Sequence, residues 1–141
     1  MDYSKLRVEW NCRSIGEEFT AKELVRPGWE TLPEAWCTTY QEFYDRVVTG
    51  IEALDRMELV GYNGAELVAV AILVITDDIH VGPCVTVMWN FVKPGHRGKL
   101  GRAAIRCAKA LAQQHKVPMY CFTHRKGEGE YIKVYRRVHG R

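Results

Sequence analysis

The sequence predicts an α/β protein: one mixed sheet that begins as an antiparallel meander and ends in a parallel β-α-β step. Three observations carry this. Asn63-Gly64 separates two apolar runs, Met57–Tyr62 and Glu66–Thr76, which is a strong hairpin signal. A helical pattern from Leu100 to His115 separates the strand-like run Val81–Val92 from the short apolar run Val117–Thr123. Strands joined through a helix are parallel neighbours. Finally, Trp36, Tyr40, Phe43, Val47, Ile51 and Leu54 recur at steps of three and four, an apolar stripe suited to covering one sheet face.

The elements follow in order. Leu6–Trp10 reads as the first strand, and Glu17–Val25 as a short helix broken by Pro27-Gly28. Thr31 and Glu34 fit a capping box for the aromatic helix, with Pro33 in its first turn, where a missing N–H does no harm. The aromatic stripe belongs to the core, and its exposed edge is available to line a cleft. ELVAVAILVIT hardly alternates, so both faces of that strand are expected to be covered. Asp77-Asp78 marks the next turn, and Pro83 stands near the start of the following strand. In the Leu100–His115 helix, Leu100, Ala103, Ala104, Cys107, Ala108, Leu111 and Ala112 form the packed face. Arg102, Arg106, Lys109 and Gln113 form the outer one. Glu128–Val138 reads as a final short helix, with Lys133, Arg136 and Arg137 at the end where the helix dipole favours cations. With neither repeat nor linker, residues 1–141 are expected to form a single domain.

A chain that is 47% hydrophobic and 26% charged belongs to the ordinary globular class. It contains no apolar run near the roughly 20 residues that span a bilayer, so no membrane role is expected. MDYSKLRVEW lacks the apolar stretch of a signal peptide. The five cysteines (12, 37, 84, 107 and 121) are widely spaced without a CxxC, as suits free thiols in a reducing compartment. A cytoplasmic location is the expectation. Cys121 and His124 have a CxxH spacing, with His115 and His139 nearby, but no second close ligand pair completes a tetrahedral set. No metal is expected.

Charge is unevenly divided. Residues 93–141 carry 13 Lys/Arg against two acidic residues, a net +11, while residues 1–92 carry a net −8. A basic third of this kind suits a polyanionic small molecule, nucleic acid, or an acidic protein surface. For nucleic acid, the candidates are the Arg102–Arg106–Lys109 helix face and the tail HRKGEGEYIKVYRR.

The stretch FVKPGHRGKLGRAA, residues 91–104, is the chief functional candidate. A strand ends at Val92, a Pro-Gly turn follows, and a basic loop with Gly95, Gly98 and Gly101 leads into the helix. A helix start leaves about four backbone N–H groups unpaired and carries partial positive charge. Glycine lets an anion approach such amides closely, and phosphate is the natural ligand.

The order strand, V-x-P-x-x-R-G-x, alanine-rich helix, short strand and tyrosine-bearing helix resembles the GNAT N-acetyltransferase superfamily, best from Val81 to Gly140. The resemblance implies a GNAT-like mixed sheet, with the family's last strands missing because the sequence stops at Arg141. It implies acetyl-CoA as cofactor, acetyl transfer to a primary amine, and a loop of signature Gln/Arg-x-x-Gly-x-Gly/Ala holding the pyrophosphate. Carried onto this chain, the cofactor would meet Phe91, Val92, Arg97, Gly98, Lys99, Leu100, Gly101, Arg102 and Ala103. Arg97 fits the opening Arg, but Leu100 stands where the signature has Gly, and Gly101 follows one place late. Matching Gly101 to the signature instead puts Gly98 at its opening and Ala103 at its close, as in a loop with one residue too many. Tyr135, with Tyr131 as fallback, matches the family's thiolate-protonating tyrosine. Asn90 would orient a water, while Glu66 and Asp78 are further candidates for the base. The chain also resembles small degenerate GNAT-like proteins of tailed phages. That implies an alternative: a catalytically inactive structural or assembly component with protein partners, located in a virion or the host cytoplasm.

Overall fold

The computed structural model describes residues 5–139. Its strands are β1 (Leu6–Arg13), β2 (Arg56–Asn63), β3 (Glu66–Asp78), β4 (Gly82–Val92), β5 (Met119–Gly127) and β6 (Glu130–Arg137). Its helices are α1 (Val25–Glu30), α2 (Tyr40–Glu52) and α3 (Arg97–Gln114). All six strands form one sheet in sequence order, antiparallel throughout except for the parallel pair β4–β5. This is the expected mixed sheet with its meander and parallel step.

Two layers of core enclose the sheet. On one face Phe19, Leu24, Val25, Phe43, Val48 and Ile51 pack on Val70, Ile72, Val74 and Phe91. On the other, Ala104, Ala108, Leu111 and Ala112 of α3 pack on Leu73, Val85, Val87 and Tyr120. β3 is buried without a break from Leu67 to Val74, which is why its sequence does not alternate. Below the first face lies an ion pair between Arg56 and Glu58, whose side chains are fully buried. Arg56 Nε donates to Glu58 at 2.7 Å, and the guanidinium also reaches the carbonyls of Leu54 and Glu17. Glu58 accepts from the Thr20 amide and hydroxyl. With every charge met, the pair anchors the 14–20 loop to the sheet.

Three expectations are corrected. First, the Glu128–Val138 segment is a strand. Gly129 turns at φ +75°, and β6 folds back antiparallel along β5 with Tyr135 opposite Cys121 and Tyr131 opposite Arg125. A Gly-rich turn joining two pairing strands outweighs a basic C-terminal end that would suit a helix dipole. Second, the aromatic helix starts at Tyr40 and not near Thr31. The hydroxyl of Thr39 accepts from the Glu42 amide at 3.1 Å, so the cap is the second Thr-x-x-Glu of this region. Pro33 opens only a 3-10 turn, Pro33–Ala35. Third, Glu17–Val25 gives just the 3-10 turn Lys22–Leu24, and α1 runs through Pro27-Gly28. Pro27 falls in the first turn, where its N–H is not needed.

Candidate functional site

The site grows out of β4. Opposite Ile72 and Leu73 of β3, the partners on β4 jump from Trp89 to Val87, so Met88 is an extra residue and bulges outward. A bulge bends its strand and increases the twist. On its other side β4 pairs with β5 only at Cys84–Met119, Val85–Tyr120 and Thr86–Cys121. Beyond those pairs the two strands part. The gap is a cleft of about 470 Å³, within the range of small-molecule sites.

β4 supplies Trp89, Asn90, Phe91 and Val92 to its walls, and β5 supplies Thr123, His124 and Arg125. Gly28, Thr31 and Leu32 close one side with Phe43 of α2. Arg97 and Gly101 of α3 border the other. Phe43, from the aromatic stripe, borders the cleft although it is only 5% exposed.

The basic loop docks firmly. The Lys93 amide donates to Val68 O at 2.8 Å, and Gly95 turns at φ +93°. His96 precedes the helix, with Nε2 at 3.2 Å from Asn63 Nδ2 in the β2–β3 turn. The Arg97 Nε donates to Val92 O at 3.1 Å, so its guanidinium folds over the end of β4. Leu100 points the opposite way. It is buried with Val68 and Ala69, and a Cβ on Gly61 would stand only 3.3 Å from it. Gly98 and Gly101 face open space. Leu100 is thus a core residue, and of the two alignments of the loop only the one using Gly101 keeps a glycine at the cleft. Ala103 is buried on the inner side of the helix and does not line the cleft. Lys99 and Arg102 are exposed.

The tyrosines are held elsewhere. Tyr135 donates to Asp78 at 3.1 Å, and Lys133 donates to the same carboxylate oxygen at 3.3 Å. The His80 amide, first of all, keeps the Asp78 carboxyl below its usual range. Tyr131 donates to Glu34, which also takes two bonds of 2.7 Å from Arg125. Those Arg125 bonds, joined by Tyr131, hold Glu34 well below the usual carboxylate range. Neither tyrosine lines the cleft. The Glu34–Arg125–Tyr131 clamp instead ties the 3-10 turn to the β5–β6 hairpin beside it. Asn90 lies on the cleft wall, while Glu66 pairs with Lys93 away from it.

At the closed end, Cys84 and Cys121 are buried with their sulfurs 3.3 Å apart, and burial pushes the Cys84 thiol up to about 12. Three residues along a strand place Cys121 and His124 on opposite faces. Among the described residues no group of three or more His, Cys, Asp or Glu is arranged to hold a metal ion.

The residues missed by sequence reasoning are Gly28, Thr31, Leu32, Trp89, Thr123 and Arg125, with His124 seen only as a zinc candidate. The first three lie some 60 residues before the loop in sequence. No helix among the described residues is long and apolar enough to cross a membrane.

No protein-family model matches the sequence, and no curated protein matches it. Solved structures do resemble the fold. A GNAT-family acetyltransferase from Listeria monocytogenes aligns with a TM-score of 0.62 at 11% identity, over 92% of this chain and 94% of that one. An acetyltransferase from Streptococcus agalactiae aligns at 0.60 and 12% identity, over 89% and 77%. The PaiA N-acetyltransferase from Thermoplasma acidophilum, solved in complex with coenzyme A, aligns at 0.51 and 12%, over 87% and 82%. The chain therefore has the GNAT fold.

Proposed function

We propose that the protein is an N-acetyltransferase that binds acetyl-CoA at the start of α3 and acetylates a primary amine in the cleft. The observation that carries this reading is the parting of β4 from β5 directly beside the first turns of α3. A similar fold has been solved with coenzyme A, which supports the same ligand here. The chain's own residues fit it. Amides of the first helical turn lack intrahelical acceptors, Gly98 and Gly101 leave room for close approach, and Arg97 and Arg102 add charge. Phe91 and Val92 present the strand edge freed by the parting. Arg102, Arg106 and Lys109 extend positive potential along the outer face of α3, a field that draws in a polyphosphate. When bound, acetyl-CoA supplies an activated acetyl thioester. Asn90 orients the acceptor or a water on the β4 wall. Positioning of this kind supplies much of the rate in a transfer without a strong base.

Calorimetry with CoA and acetyl-CoA tests the reading. Micromolar binding that is lost in Gly101→Val supports it, and no heat at millimolar ligand sinks it. One observation favours a second reading, a GNAT-fold chain that binds without transferring: both tyrosine hydroxyls are engaged by carboxylates. Binding without acetylation of any amine would select that reading.

A further inference from the structure

The cleft's chemistry narrows the acceptor. We infer that it is built for a neutral aromatic amine rather than an alkylammonium; this rests on the acetyltransferase reading above. No Asp or Glu is among its lining residues. Glu34, bound to the cleft residue Arg125, already receives two bonds from it and one from Tyr131. Arg97 and Arg125 line the cleft; Arg125 is paired with Glu34, so Arg97 supplies the positive charge an incoming cation would meet. An alkylammonium entering here would lose water, meet like charge, and find neither counter-ion nor carboxylate base.

The walls offer something else. Trp89 and Phe91 stand side by side on β4, with Phe43 and Leu32 across from them. Gly28 sits over the two β4 rings. A Cβ there would lie 3.6 Å from both Trp89 Cζ2 and Phe91 Cδ1. Having none, Gly28 lets α1 pack close against these rings; Trp89 stays half-buried at the cleft, while Phe91 and Phe43 are nearly covered. Stacked and edge-to-face ring pairs gain about 0.5–1.5 kcal/mol beyond burial. An aromatic amine is a weak base because its lone pair is shared with the ring, so at neutral pH it arrives unprotonated and nucleophilic. In the transfer its nitrogen forms the N–C bond to the acetyl carbon as the C–S bond breaks. The sulfur leaves with that electron pair, and the proton lost from nitrogen ends on the thiol.

Three probes separate ring from charge: aniline (aromatic, neutral), benzylamine (aromatic, cationic) and butylamine (aliphatic, cationic). Each is titrated into the whole protein without cofactor, following tryptophan fluorescence and saturation-transfer NMR, and then supplied with acetyl-CoA while thiol release is measured. Aniline is expected to bind at least about tenfold more tightly than benzylamine, since an unpartnered charge must be desolvated for the latter, and butylamine not at all. Turnover should follow the same order. Gly28→Val should weaken aniline about tenfold or more by covering the Trp89 edge while CoA affinity in calorimetry stays unchanged. Equal or tighter binding of either cationic amine, or no binding of aniline, overturns the inference. Should Gly28→Val not fold, the three-amine comparison on the wild-type protein still decides. Absence of CoA binding defeats the acetyltransferase reading itself, whereas CoA binding with a preference for alkylamines defeats only this inference.

Discussion

β4 and β5 behave as two different pairs of strands along their length. From Cys84 to Thr86 they are hydrogen-bonded neighbours, buried between both cores. From Trp89 onward they share no ladder and line a polar-rimmed cleft. The difference lies in one inserted residue, Met88, and in what stands opposite. The closed end is covered by α3 on one side, and the open end meets the start of that same helix. Rigid pairing immediately next to an unpaired gap lets the fold present a cleft without loosening its core.

That contrast can be broken from either side, and the largest effect belongs to the closed end. Leu73 is fully buried across from Val87, so Leu73→Ala should cost about 2–5 kcal/mol in urea unfolding. The open end should answer with the opposite sign. Gly101 lies inside a helix with free space at its Cβ position. Gly101→Ala should therefore add about 0.8–1 kcal/mol of stability, and if the loop holds a pyrophosphate it should weaken CoA in calorimetry at the same time. A gain in both would place the ligand elsewhere. The smallest effect concerns the clamp. Glu34→Gln should speed amide exchange over residues 123–131 and leave residues 119–121 unchanged, which hydrogen-exchange NMR resolves.

The clamp's pH range follows from its charges. A carboxylate whose folded-state pKa is depressed stabilises above its unfolded pKa and loses that contribution as pH falls through the folded value. Glu34 is of this kind, so the clamp should survive mild acid and open only well below the usual carboxylate range. Tyr131 is shifted up by burial and by its bond to Glu34. Its share is present below the ordinary phenol pKa and is lost only as pH rises through the raised value. Protection factors over residues 123–131 should stay flat between those limits.

Local signals made much of this fold legible. Asn63-Gly64 marked its hairpin, ELVAVAILVIT its doubly covered strand, and the alanine-rich stripe its crossover helix. Where two local signals competed, tertiary pairing decided. Thr31-x-x-Glu34 and Thr39-x-x-Glu42 are equivalent caps on paper, but only the second precedes the residues that pack on the sheet. EYIKVYRR is rich in β-branched and aromatic residues as a strand would be and is basic at its end as a helix would be, and the chance to pair with β5 settled it. The cleft was legible only on its β4–α3 side, because that stretch is contiguous. Gly28 and Leu32 reach it through the packing of α1 on the sheet, and no spacing in the sequence records that contact.

The sulfurs give the molecule a gauge of its own opening. Cys12 and Cys37 are exposed, Cys107 is half-buried, and Cys84 and Cys121 are sealed at the point where β4 and β5 still pair. Only a thiolate reacts with an alkylating reagent, and burial suppresses that form at Cys84 and Cys107. The order in which the five are modified therefore times the chain's local unfolding, from edge strand to hinge. A ligand that braces the cleft would slow the last two without touching the first.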